Sequence, residues 1–288
     1  MKNNLKTIGI IDIGSNSVRL LVTNGVFFNK KLITTRLAEN KSSVGDLNLN
    51  SVYRTVNAIL EFKELALKSG AQNIYAFATE AVRAAKNKDY FLELVKKATG
   101  LTVDVLSGEL EAEIGLLGAN LGEDGSIIDI GGASTEIAVQ KGGKIVYKKS
   151  VPLGAVTLKD KALNKGELIK FVDGIVSEFK GAPVFNVKAI GGTSTALATV
   201  DKKLEVYNEL LTDGHYITAL NLSEICEELF SLTPAQIFNK YAVTKSRAEV
   251  ISGGAYILLS IINALKLDGV TVSEKDNLEG YFYKKIQL

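Results

Sequence analysis

Ile10-Ile11-Asp12-Ile13-Gly14-Ser15-Asn16-Ser17 near the start of the chain and Ile127-Ile128-Asp129-Ile130-Gly131-Gly132-Ala133-Ser134 near its middle decide how this sequence folds. The two align without a gap. So do the stretches that follow, Val18-Arg19-Leu20-Leu21-Val22 and Thr135-Glu136-Ile137-Ala138-Val139. Each then reaches a turn signal, Asn24-Gly25 or Gly142-Gly143. An apolar run that enters Asp-Ile-Gly, turns on small residues and returns as a second apolar run predicts a β-hairpin. Two hairpins, each followed by more strand and then helix, predict two α/β lobes, each a mixed β-sheet with helices on its faces.

Working outward, strands are expected at roughly 6–13, 17–23, 31–36, 73–78, 102–106, 126–130, 135–140, 144–150, 186–190 and 269–273. Helices are expected at roughly 51–68, 89–99, 108–119, 165–180, 222–230 and 244–264. The lobe boundary falls at 123/124, giving lobes 1–123 and 124–288, with C-terminal residues free to pack back on the first. At roughly 100–200 residues per domain, 288 residues suit this division.

Composition removes several classes of function. Lys plus Arg total 34 and Asp plus Glu 32, so the chain lacks the basic excess of a nucleic-acid or membrane-surface binder. One cysteine, Cys226, allows no intrachain disulfide and points to a reducing, cytoplasmic setting. One histidine, His215, excludes Cys/His zinc clusters and HExxH sites, and no nucleophile elbow accompanies it. No secretory signal is visible at the N-terminus. The apolar stretch Val250–Leu267 is interrupted by Ser252, Gly253, Gly254, Ser260, Asn263 and Lys266, which reads as a core helix rather than a membrane span. Chemistry is left to carboxylates, Arg or Lys, backbone amides and a bound cation.

The repeated turn suits an anion. Glycine and small residues let successive N–H groups converge on one concavity, to which Ser17 and Ser134 add hydroxyls. Asp12 and Asp129 place a carboxylate beside it, an arrangement that suits a divalent cation or water between carboxylate and anion. Two such turns facing each other across a cleft would clamp one phosphate chain. The alternative is a pair of ordinary turns in which each Asp caps nearby amides. Arg19 and Glu136 hold equivalent places on the outgoing strands. Arg19 then reads as a phosphate contact and Glu136 as a metal or water organiser, unless either lies on a solvated strand face. A third turn, Gly191-Gly192-Thr193, runs from a strand into a helix whose first amides suit phosphate, or is a plain strand-to-helix turn. Arg83 follows the 73–78 strand, early in a short helix or turn, where open α/β sheets place ligands; a surface arginine is the other reading. Glu111 lies in an acidic first turn behind the N-cap candidate Ser107. Gly115 and Gly118, four and seven residues on, permit close packing of another element on that face, which would hold Glu111 in a cleft rather than leave it as a solvated or capping acid.

With these residues in place the chain resembles the exopolyphosphatase/guanosine pentaphosphate phosphohydrolase (Ppx/GppA) family of the sugar kinase–heat-shock protein–actin superfamily. The matching segments are 12–17, 78–83 with Asn87, 107–112, 129–136, Val151-Pro152-Leu153-Gly154-Ala155, 191–193, Arg247-Ala248-Glu249 and Val272-Ser273, in family order. The resemblance implies two actin-like (ribonuclease H-like) lobes with an interlobe cleft. It also implies release of the terminal phosphate of inorganic polyphosphate or guanosine penta- or tetraphosphate, assisted by Mg²⁺ (or Mn²⁺). By that pattern Glu111 is the base that orients water, and Asp129 and Glu136, with Asp12, are the metal carboxylates. Arg83, Arg19, Gly14, Ser15, Asn16, Ser17, Gly131, Gly132, Ala133, Ser134, Gly191, Gly192 and Thr193 surround the phosphates.

Three departures stand out. Glu113 replaces the Arg that usually follows Glu-Ala in the catalytic helix, and Ala133 replaces a third glycine. The C-terminal Gly-Leu-Arg-Glu-Gly pattern reads Asp276-Asn277-Leu278-Glu279-Gly280. Without the long C-terminal extension of some members, short polyphosphates or (p)ppGpp-type nucleotides are the expected substrates. A phosphate-binding sensor without strong catalysis and an ATP-dependent kinase are the alternatives from other classes. A homodimer stays open.

Overall fold

The computed structural model describes residues 6–39 and 45–286 and divides the chain into two compact units. The first runs to Ser107 and regains the chain from Tyr281 onward; the second spans Gly108–Gly280. The division thus falls at 107/108, where the sequence placed it at 123/124. The helix between those points packs on the second sheet and so belongs to the second unit.

In the first unit the chain runs through β1 (Ile8–Ile13), β2 (Ser17–Thr23), β3 (Phe28–Thr34), α1 (Leu49–Lys68), β4 (Asn73–Ala78), α2 (Glu80–Arg83), α3 (Lys88–Thr99) and β5 (Val103–Val105). The strand order is β3-β2-β1-β4-β5, with β1/β2 and β2/β3 antiparallel and β1/β4 and β4/β5 parallel. Every residue of β1 is buried, as its unbroken apolar run demands of a central strand. Val52, Val56, Ile59, Phe62 and Ala66 recur at three- and four-residue spacing along α1 and form its buried stripe. Asn48 caps that helix by accepting from the Asn50 amide. The returning C-terminal residues are anchored by Tyr281, whose ring stacks on Phe77 at 4.6 Å, and by Lys285, 3.1 Å from Asp104. Partial burial pushes the Asp104 carboxyl up, but hydrogen bonds from Tyr281 and Lys285 outweigh it and hold the group below its ordinary range.

The second unit contains α4 (Gly108–Asn120), β6 (Gly125–Ile130), β7 (Thr135–Lys141), β8 (Lys144–Val151), α5 (Ala155–Asp160), α6 (Lys165–Val176), β9 (Val187–Ile190), α7 (Gly191–Asp201) and α8 (Glu209–Thr212). It continues with β10 (Tyr216–Thr218), α9 (Ala219–Ser231), α10 (Pro234–Lys240), α11 (Lys245–Ala248), α12 (Ile251–Leu265), β11 (Gly269–Val272) and the start of α13 (Asn277–Lys285). Its order, β8-β7-β6-β9-β11-β10, repeats the first sheet and adds β10 at one edge. Both are the mixed sheets of ribonuclease H-like lobes. The expected helix at 244–264 is two helices, broken at Glu249 and Val250. Apolar nearly all round, α12 is the core helix of this unit. No helix among the described residues is long and apolar enough to cross a membrane.

The glycines of α4 set the closest packing in this unit. A Cβ on Gly118 would lie 1.9 Å from the Asp276 carbonyl oxygen, and one on Gly280 1.8 Å from that of Ile114. The helix therefore meets the segment that opens α13 backbone to backbone, as the 115/118 spacing predicted. Gly118→Val should destabilise the chain near the top of the roughly 1–3 kcal/mol range for overpacking, seen as a fall in Tm of several degrees by circular dichroism. Gly174→Ala, with open space around it in α6, should instead stabilise by up to about 1 kcal/mol. Equal effects at the two positions would contradict the close contact.

Candidate active site

Both hairpins close identically. Asp12 pairs with Arg19 across β1/β2, and Asp129 with Glu136 across β6/β7. The Gly14 amide donates to the Ser17 carbonyl at 3.0 Å, and the Gly131 amide to that of Ser134 at 3.0 Å. Two further carbonyls of each turn are engaged by backbone amides. Those of Ser15 and Asn16 accept from the amides of Ala38, Thr35 and Arg36. Those of Gly131 and Gly132 accept from Ala155, Val156 and Thr157 at the start of α5. Tying the carbonyls back on one side leaves each turn's chemistry to its amides and hydroxyls. Gly154 makes this possible, since a Cβ there would lie 2.3 Å from the Ala133 nitrogen and 2.4 Å from the Gly132 oxygen.

In the first unit Asp12 is buried and held by Arg19, with Nε at 2.9 Å and Nη2 at 2.5 Å from Oδ2. This strand-end acid therefore faces a guanidinium. Arg83 ends α2 rather than standing early in it. Its Nε is 2.8 Å from Glu80 Oε2, and its Nη1 donates to the Leu106 carbonyl at 2.5 Å. Both arginines are thus held in set orientations, each about a fifth exposed.

The second unit inverts the charge. Asp129 and Glu136, 6% and 1% exposed, oppose each other on one face of the hairpin. Like charges directly opposite on a sheet are unfavourable, and burial magnifies the effect. Ser150 donates to Glu136 Oε1 at 2.7 Å, and Asn277 Nδ2 donates to Asp129 Oδ2 at 3.0 Å. Gly191, with φ of +79°, passes so close that a Cβ would lie 2.6 Å from Asp129 Oδ1. Any side chain there would be strained and would collide with the carboxylate. Thr193 donates to the Ile130 carbonyl at 3.0 Å, fixing the start of α7 to the end of β6. The Arg247 guanidinium reaches the same turn: a Cβ on Gly192 would lie 2.4 Å from its Nη2, and its Nη1 is 3.3 Å from Thr193 Oγ1.

Glu111 is buried in the first turn of α4, with 6% exposure. Glu113, where the family pattern has Arg, pairs with Lys148 of β8, and Glu109 lies 3.5 Å from the same ammonium. The Glu113 hydrogen bond raises the Lys148 pKa and so keeps that cation charged. Burial pushes the Cys226 thiol up to about 12, which removes it as a nucleophile. His215 pairs with Asp201 at 2.6 Å and takes no part in the hairpin turns.

Among the described residues no three acidic, His or Cys side chains gather as a ready-made metal cage. Two opposed carboxylates beside amide-rich turns nevertheless fit a hard cation. Mg²⁺ is typically held by one or two carboxylates, with water and phosphate oxygens completing its shell.

Sequence reasoning passed over Ser150, Asn277 and the guanidinium of Arg247 at the third turn. Ser150 was within reach by counting back from the Gly142-Gly143 turn, had the bulge in β8 been known. Asn277 stands out only as part of a departure from the family pattern, with nothing local to mark its partner Asp129.

Two ribonuclease H-like units, each with a buried acid near the end of its first strand and beside a glycine turn, define an actin-like α/β protein. The profile of the Ppx/GppA phosphatase family matches residues 25–288, and the chain belongs to that family. It is 30% identical to the bifunctional 3-dehydroquinate synthase/phosphatase of Fusobacterium nucleatum across 99% of its own length, and spans 47% of that protein. It is 26% identical to exopolyphosphatase 2 of Mycobacterium tuberculosis, covering 96% of this chain and 97% of that one. The crystal structure of the Aquifex aeolicus member of the Ppx/GppA family superposes with a TM-score of 0.81 at 27% identity over 98% of each chain.

Proposed function

We propose that this chain hydrolyses the terminal phosphoric anhydride of a linear phosphate chain, inorganic polyphosphate first and guanosine pentaphosphate second. The observation that carries the reading is the buried Asp129–Glu136 pair between the turns at Gly131–Ser134 and Gly191–Thr193. Two opposed carboxylates kept out of water beside glycine turns suit a cation that joins them to a bound anion. Preference for polyphosphate rests on the near-complete mutual coverage with a relative named exopolyphosphatase 2.

Asp129 and Glu136 would hold Mg²⁺ (or Mn²⁺), which would supply neutralisation of the phosphate charge. Glu111 takes a proton from water as the water oxygen bonds to the terminal phosphorus. The P–O bond to the next phosphate breaks, and inorganic phosphate leaves beside a chain one unit shorter. Backbone amides of Gly132, Ala133, Gly191 and Gly192 and the Ser134 hydroxyl bind phosphate oxygens, while the Gly131 amide and the Thr193 hydroxyl, which donate to the Ser134 and Ile130 carbonyls, shape the two turns. In the first unit, Ser15, Asn16, Ser17, Arg19 and Arg83 are assigned to phosphate, Gly14 closes the turn onto Ser17, and Asp12 orients Arg19. Positioning and charge neutralisation suffice for this class of reaction, without covalent chemistry from the protein.

The test is a phosphate-release panel with tripolyphosphate, long polyphosphate, guanosine pentaphosphate and ATP, each with Mg²⁺ or with EDTA. Release should depend on the metal by about 10²-fold or more. Tight calorimetric binding without release would replace this reading with a phosphate sensor. Transfer of phosphate from ATP to an acceptor would replace it with a kinase.

A further inference from the structure

Asn277 is the first residue of α13 and is 5% exposed. Its Nδ2 donates to Asp129 Oδ2 at 3.0 Å. A carboxylate only accepts, so this contact fixes which end of the amide faces Asp129. The other end, Oδ1, finds no hydrogen-bond partner among the described residues, and a Cβ on Gly115 would lie 2.9 Å from it. The amide thus stands between Asp129 and the face of α4 that carries Glu111 one turn earlier.

Packing does not account for an amide here. A leucine here would fill a similar volume without burying an open acceptor. What the amide adds is the hydrogen bond to Asp129. Its backbone cannot retreat. Asp276 Oδ1 accepts from the Leu278 amide, Glu279 Oε2 accepts from the Asp276 amide, and Gly118 and Gly280 bring α4 and this segment into backbone contact. Asp129 is therefore clamped, with Oδ2 on the Asn277 amide and Oδ1 against the bare backbone of Gly191.

We propose that Asn277 is a positioning residue of this chain. It fixes the Asp129 carboxylate so that Oδ1 is presented at the Gly191 turn, and it ties that carboxylate to the helix bearing Glu111. The role deepens the hydrolase reading and rests on it. Partners that orient a ligating carboxylate typically change metal affinity or activity by about 10–100-fold when removed.

The experiment uses the full chain and Asn277→Leu, with Asn277→Ala as a second variant that removes the amide without adding bulk. Mn²⁺ affinity is measured by calorimetry with imidodiphosphate, a phosphoric-anhydride analogue that resists hydrolysis. Steady-state rates are measured on tripolyphosphate. A folded variant should bind Mn²⁺ about 10–100-fold more weakly and lose kcat to a similar degree, with KM for tripolyphosphate within about threefold of wild type. Mn²⁺ affinity and kcat both within about twofold of an active wild type, in a variant with native circular dichroism, would overturn the positioning role alone. A wild-type chain that releases phosphate from no substrate would overturn the hydrolase reading and this role with it.

Discussion

Glu111→Gln should lower kcat for phosphate release by roughly 10³-fold while leaving KM within a few-fold, because general-base assistance is worth about 10²–10⁴-fold. Glutamine keeps the size of the side chain and its carbonyl acceptor but cannot take the proton from water. The helix should not shift to compensate. α4 is locked against the segment that opens α13 at Gly118 and Gly280, so substitution at position 111 acts on chemistry more than on fold. Glu113→Gln gives the contrast. It breaks the pair with Lys148 on a half-exposed surface, where an ion pair is worth about 0–1 kcal/mol, and turnover should stay within a few-fold. Unchanged turnover in Glu111→Gln would remove Glu111 from the mechanism.

Asp129→Asn should separate activity from stability. Turnover should fall by about 10²-fold or more, since one of two proposed metal carboxylates is gone. In EDTA the variant should nonetheless melt higher than wild type. It removes one of two buried like charges that face each other across β6 and β7, while its amide oxygen still accepts from Asn277. Relief of about 0.2–1 kcal/mol corresponds to a rise in Tm of roughly 1–4 °C. Excess Mg²⁺ should then stabilise wild type more than the variant. A lower Tm for Asp129→Asn in EDTA would refute the view that this pair is strained without a cation. The trade is the one expected of active sites that store strain for function.

Much of the architecture was legible because it is written in local chemistry. Alternation and apolar runs named the hairpin strands, and Asp-Ile-Gly with small residues named their four-residue turns. The equivalence of Asp12/Arg19 and Asp129/Glu136 then followed from counting along the pleat. The spacing of Gly115 and Gly118 after Glu111 foretold close packing on α4, although not its partner. The two units divide at 107/108 where the expected boundary was 123/124, and the difference is the helix α4. Its membership is set by the β6–β9 sheet it covers.

The site itself shows where local reading ends. A bulge in β8 leaves Val146 unpaired and shifts the register by one residue, so that Ser150 rather than Lys149 lies opposite Glu136. A one-residue slip exchanges which side chains share a face, and no turn signal marks the slip. Asn277 meets Asp129 across 148 residues of chain, and Arg247 meets the Gly192 turn through the placement of α11. Two α/β hairpin units with acids at their strand ends are readable along the chain, because turn conformation and pleat alternation depend on sequence neighbours. Which donors hold those acids is a matter of long-range packing, because strand register and helix docking depend on how distant segments close on one another.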